Sequence, residues 1–143
     1  MQVSQVLGVK GREVATIPQG RSLGDAIAML KERRIGAVVV TGAEPPLVGI
    51  FSERDVVRAI ALHGANALAM PVADFMSPEV TTCSEATTMD ALMALMTEQR
   101  IRHVPVIENN VLVGMVSIGD VVKARLGELE DEKRNLLDYV SAR

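Results

Sequence analysis

Hydrophobic and polar positions along this chain run through the same succession twice. In "RSLGDAIAMLKERRIGAVVV" (21–40) an amphipathic stretch ends in basic residues and gives way to a β-branched run. "TTMDALMALMTEQRIRHVPV" (87–106) does the same. A helix period followed by a strand period predicts one unit in each half. The first has a short strand over 13–17, a helix from Ser22 to Arg34, a strand over 36–41, a turn at Pro45-Pro46, a strand over 47–52 and a helix opening at Ser52. The second has a strand over 79–83, a helix from Thr88 to Arg100, strands over 102–107 and 112–117, and a helix opening at Ser117. Asn109-Asn110 between the last two strands suits a tight hairpin with positive φ.

Laying the chain over itself turns the likeness into a repeat. At an offset of 66, residues 13–40 meet 79–106, with identity at Glu13, Val14, Thr16, Ala28, Glu32, Arg34, Ile35, Val38 and Val40. At an offset of 65, "LVGIFSERDVVRA" (47–59) meets "LVGMVSIGDVVKA" (112–124), identical at eight of thirteen positions. The predicted fold is α+β: two β-α-β-β-α repeats, 1–65 and 66–126, followed by an amphipathic C-terminal helix over 127–143. A unit of roughly 55 residues buries too little surface to be secure alone, so the two should pack through their sheets about a pseudo-two-fold axis. The tail carries Leu126, Leu129, Leu136, Leu137 and Val140 between charges. It either docks on its own domain or joins two copies.

Composition narrows the function classes. The formal charge is −3, which argues against general affinity for nucleic acid or an anionic membrane. Apolar stretches are interrupted by Arg58, His63 or Pro71 and fall short of the ~20 residues of a bilayer span. The first residues lack a signal peptide's apolar run, and the expected location is cytoplasmic. With two Phe, one Tyr and no Trp, the core must be aliphatic. One cysteine, Cys83, leaves no internal disulfide, and two histidines with it make no metal cluster.

The most informative echo is "GIFSERD" (49–55) against "GMVSIGD" (114–120). Taken alone, Ser followed three residues later by Asp is a helix cap, with Ser52 and Ser117 opening a helix and Asp55 and Asp120 in its first turn. That needs no ligand. Three features add to it. Gly49 and Gly114 let another group approach the strand closely. A helix N-terminus presents free N–H groups that suit phosphate. Pro105 interrupts the β run behind Arg102-His103, placing that strand at an edge or a bulge. Together these make a plausible nucleotide cleft.

Two β-α-β-β-α repeats carrying "IGAVVV" and "IRHVPV", each completed by Gly-x-x-Ser-x-x-Asp, resemble a tandem pair of CBS domains, the Bateman module. The likeness covers roughly residues 3 to 126. It implies adenosyl ligands (AMP, ADP, ATP, in some members S-adenosylmethionine or NAD) held in clefts between the repeats, with no required cofactor and no catalysis. The Asp would take the ribose hydroxyls, the Ser would lie by the phosphate, and aliphatic side chains would hold adenine. The resemblance assigns Ser52, Arg54, Asp55, Ile101, Arg102, His103 and Pro105 to one cleft. It assigns Ser117, Asp120, Ile35, Gly36 and Ala37 to the other. Lys10 and Arg12 would stand at a cleft edge, and Thr16 and Thr82 would close their first strands nearby.

The two clefts are not equivalent. Gly119 stands where Arg54 does, and Gly36-Ala37 where Arg102-His103 do. A phosphate half-buried without a cation is costly, so the Asp55 cleft should take phosphorylated ligands best. The Asp120 cleft would bind weakly, hold only an adenosine end, or stay empty. The expected protein is a regulatory homodimer that acts on a separate partner protein or through the oligomer itself. Its rival is an interaction dimer with empty clefts.

Overall fold

The computed structural model of the chain describes residues 1–142. The first repeat contains β1 (Thr16–Pro18), α2 (Leu23–Arg33), β2 (Ala37–Thr41), β3 (Gly49–Ser52) and α3 (Glu53–His63), preceded by α1 (Val3–Lys10). After two short 3-10 turns come α4 (Met89–Gln99), β4 (His103–Glu108), β5 (Val111–Ser117) and α5 (Ile118–Ser141). The α+β class and the doubled unit are as the sequence reads them.

Local chemistry explains the matching helices. Ser22 Oγ accepts from Asp25 N at 3.1 Å and Thr88 Oγ1 from Ala91 N at 3.2 Å, so both helices start on a side-chain cap. Both end on an arginine in the left-handed region, Arg34 at φ 54° and Arg100 at φ 55°. Leu23, Ala26 and Leu30 face one core; Met89, Leu92 and Met96 face the other. Asn109 and Asn110 take φ of 49° and 63°, the hairpin geometry their identity favours.

The sheets differ, and two residues account for the difference. In the first repeat β1 runs parallel to β2, and Val39 N donates to Ala15 O at 3.0 Å. The counterpart of Val39 is Pro105, which has no N–H to offer Thr81. On the other side Gln19 N donates to Thr41 O at 2.9 Å, whereas its counterpart Glu85 N donates to the Glu108 carboxylate at 2.7 Å, so the strand predicted over 79–83 does not form. Only a bridge between Cys83 and Val106 survives, beside the two-stranded β4–β5 sheet. The predicted strand over 13–17 shortens likewise to Thr16–Pro18. A register shift between Val106 and Ile107 supplies the bulge that Pro105 foretold.

One element was not expected from the sequence. Helix α1 precedes the first repeat but buries Val3, Val6 and Leu7 in the second core, against Met89, Leu92 and Val116. The segment 70–76, which precedes the second repeat, buries Val72 and Phe75 in the first core. Matching backbone bonds anchor the two: Val3 N to Thr87 O at 2.9 Å, and Val72 N to Arg21 O at 2.8 Å. Each repeat is closed by the segment that precedes the other. "MQVSQVL" and "MPVADFM" are the sequence trace of this exchange.

The tail predicted as a helix over 127–143 ends at Arg143, which lies outside the described residues. Over the described part it continues α5 without a break. Leu126, Leu129, Leu136, Leu137 and Val140 stay 53–65% exposed, so the tail does not dock on its own chain.

Candidate functional site

The repeated motif builds the same cap twice. Ser52 N donates to Asp55 Oδ2 at 2.9 Å, and Ser117 N donates to Asp120 Oδ2 at 2.8 Å. The first helical N–H of each cap bonds the loop before the neighbouring strand: Glu53 N to Gly36 O at 3.1 Å, and Ile118 N to Arg102 O at 2.8 Å. Strand pairing sets Ala37 opposite Ser52 and His103 opposite Ser117. Each helix start is thereby fixed to the Ile-x-x strand of its own repeat.

The motif glycines do admit a close approach, but by protein. A Cβ on Gly49 would lie 2.6 Å from Met76 Sδ and 3.0 Å from Ser77 O; one on Gly114 would lie 2.7 Å from Leu7 Cδ2. These are the two exchanged segments, seated directly on the motif strands.

Between the repeats lies a cleft of about 470 Å³, within the usual size of a small-molecule site. From the predicted set it gathers Ser52, Arg54, Asp55, Ile101, Arg102 and His103. Gly36 and Ala37, assigned from the sequence to the other cleft, also line this one. Their strand pairs with the Asp55 motif, and a Cβ on Gly36 would stand 3.0 Å from His103 Cε1. His103 thus rests on Gly36, where the repeats touch. Pro105 is buried in β4 opposite Met115, away from the lining. Ile35 packs on the first core. Thr16 and Thr82 are exposed and outside the lining, where Thr81 stands instead. Arg12 pairs with Glu85 at 2.5 Å.

Sequence reasoning missed Arg58, Arg100 and Glu79 in the lining. Arg58 was legible, because it lies one turn after Asp55 and matches Lys123. Its Nη2 donates to Asp55 Oδ1 at 3.1 Å and to Phe75 O at 2.8 Å. Asp55 itself is 5% exposed. Arg54, Arg100 and Arg102 are exposed, and none makes an ion pair among the described residues. Glu53 and Glu79 are the acids beside them.

The second aspartate has a different neighbour. Lys10 Nζ, at the end of α1, donates to Asp120 Oδ2 and to Met115 O, both at 2.6 Å. Burial pushes the Asp120 carboxyl up, but Lys10 and the Ser117 N–H and hydroxyl outweigh it and hold the group below its ordinary value. His103 is likewise held low, first by burial and then by the Lys10 charge, with Glu53 and Asp120 opposing. The Cys83 thiol is pushed up to about 11 by burial and then by Glu108. No described helix is long and apolar enough to cross a membrane. No group of three potential metal ligands occurs among the described residues.

Comparison with known proteins agrees with this architecture. A family model described as the CBS domain matches residues 5–62 and 72–127. The mitochondrial CBS domain-containing protein CBSX3 of Arabidopsis thaliana is 39% identical over 120 residues; the match takes in 81% of this chain and 58% of that protein. The crystal structure of the CBS-domain containing protein ATU1752 from Agrobacterium tumefaciens superposes with a TM-score of 0.84 at 48% identity, covering 87% of this chain and 92% of that one. The CBS domain pair of protein MJ0100, solved in complex with 5′-methylthioadenosine and S-adenosyl-L-methionine, has a TM-score of 0.78 at 22% identity and covers 90% and 98% of the two chains.

Proposed function

The chain belongs to the CBS-domain family, and on that premise we propose that it is a regulatory module taking an adenine nucleotide in the Asp55 cleft. The observation that carries the reading is the meeting of Ser52, Arg54 and Asp55 from one repeat with Arg100, Arg102 and His103 from the other, in one cleft. Three arginines without ion-pair partners among the described residues favour phosphate there. Ile50, Val80 and Ile101 give adenine an aliphatic wall. Ribose hydroxyls would donate to the Asp55 carboxylate once Arg58, whose side chain is 56% exposed, turns outward. The fold is shared with a pair solved with 5′-methylthioadenosine and S-adenosyl-L-methionine, so a fold of this kind accommodates adenosyl groups.

The module performs no catalysis of its own in this reading. A thiol raised by burial is a poor nucleophile. Ligand would act by favouring one arrangement of the repeats over another, which requires unequal affinity for the two. A thermal-shift panel tests this. Ligand at 100 times its dissociation constant stabilises by about 2.7 kcal/mol, so AMP, ADP or ATP should raise the melting temperature by several degrees. A flat response to all three, and to NAD and S-adenosylmethionine, would rule the sensor out.

A second reading is favoured by one feature, the exposed apolar row on α5. Val122, Leu126, Leu129, Leu136 and Val140 recur at spacings of four, three, seven and four, the rhythm of a two-stranded seam. Two copies would join there, with or without ligand. Sedimentation at micromolar concentration should give a dimer, and Leu129→Glu with Leu136→Glu should give a monomer.

A further inference from the structure

The bonds around Asp120 carry a consequence for how many ligands the chain takes. In the first repeat the carbonyl of Ile50 accepts from Ser77 N at 2.9 Å. The counterpart of Ile50 is Met115, and there the exchanged segment does not leave as extended chain. It stays helical through Lys10, and five residues separate Leu7 from Glu13 where two separate Met76 from Glu79. Among the described residues no backbone N–H is seen to reach the Met115 carbonyl, and the Lys10 ammonium stands in for it at 2.6 Å. The same ammonium lies on the Asp120 carboxylate, the group equivalent to Asp55.

From this geometry we infer that the Lys10 side chain fills the place beside Asp120 that a second ligand would take, so that the chain takes one nucleotide and not two. This rests on the nucleotide reading of the first cleft. Arg58 makes a comparable pair with Asp55, but the contexts differ. Arg58 sits on the same helix as its aspartate, with its side chain 56% exposed, and water can replace it when it turns away. The Lys10 side chain is 34% exposed, reaches Asp120 from another helix, and serves a strand carbonyl that has no other described donor. A ribose hydroxyl approaching Asp120 has to displace it. A phosphate arriving there meets a lysine already neutralised, with Gly119 where Arg54 would be.

Calorimetric titration of the full chain tests this. Wild type should bind ADP at one site per chain, a site weakened roughly 10- to 100-fold in Asp55→Asn. Lys10→Met should keep that site and gain one for adenosine, which needs no cation, and adding Asp120→Asn should abolish the gained site. Circular dichroism and a melting curve show that each variant is folded. Two ADP sites in the wild type, or a folded Lys10→Met variant with no new adenosine site, would overturn the inference and leave the first cleft standing. No binding by wild type or variant would remove the nucleotide reading and this inference together.

Discussion

Asp55 and Asp120 occupy equivalent caps, and each carboxylate shares a cation with a backbone carbonyl. At Asp55 the cation is Arg58, from the same helix, and the carbonyl is Phe75 O. At Asp120 the cation is Lys10, from the other end of the chain, and the carbonyl is Met115 O. The motif repeats the cap because a cap is local, made by residues three apart. It does not repeat the site, because the groups completing a site come from other segments. Two copies of one motif can therefore differ in what they admit.

The exchange of closing segments gives the largest expected effect. Leu7 is 1% exposed in the second core, so Leu7→Ala should cost about 2–5 kcal/mol in urea unfolding. An effect under about 1 kcal/mol would mean that the second repeat closes without α1.

The motif glycines offer a finer contrast. A Cβ at Gly49 meets Ser77 O, a backbone atom, whereas the three atoms nearest one at Gly114 all belong to the Leu7 side chain. Gly49→Ala should cost about 1–3 kcal/mol and Gly114→Ala less, since a leucine end can shift. The opposite order would show that the linker over 76–77 yields more readily than α1.

The smallest effect is on the pH dependence of stability. His103 and Asp120 both have folded values held below their ordinary ones. For a depressed group, stability is full above the unfolded value and is lost as pH falls through the folded one. His103 should therefore contribute a decline that begins below about 6.5, and Asp120 one that begins below about 3.9. Unfolding of His103→Gln measured from pH 7.5 to 5 should give a flatter profile than wild type. An unchanged slope would contradict the buried, Lys10-facing setting of His103.

Much of the fold was readable because its signals are local. Ser22 and Thr88 cap, Arg34 and Arg100 terminate, and the paired asparagines turn. The first strand of the second repeat was not readable by analogy, because Pro105 acts on a strand more than twenty residues away, at Thr81. Helix α1 was missed because its apolar residues serve a core eighty residues downstream, and only the echo of "MQVSQVL" in "MPVADFM" hints at it. The Asp55 cleft was legible in Ser52, Arg54, Asp55 and the 101–103 strand. Gly36 and Ala37 line the Asp55 cleft too, since their own hairpin with β3 holds them beside Asp55. The poverty of cations expected at Asp120 also needed correcting. A lysine is there, but it is committed to the carboxylate.

The claim that the two clefts differ rests most directly on paired titrations of Asp55→Asn and Asp120→Asn with ADP. A hydrogen bond to a charged group contributes about 1.5–3 kcal/mol. Asp55→Asn should therefore weaken binding by roughly 10- to 100-fold, while Asp120→Asn stays within a few-fold of wild type. Loss of ADP binding in Asp120→Asn with Asp55→Asn unaffected would contradict the account.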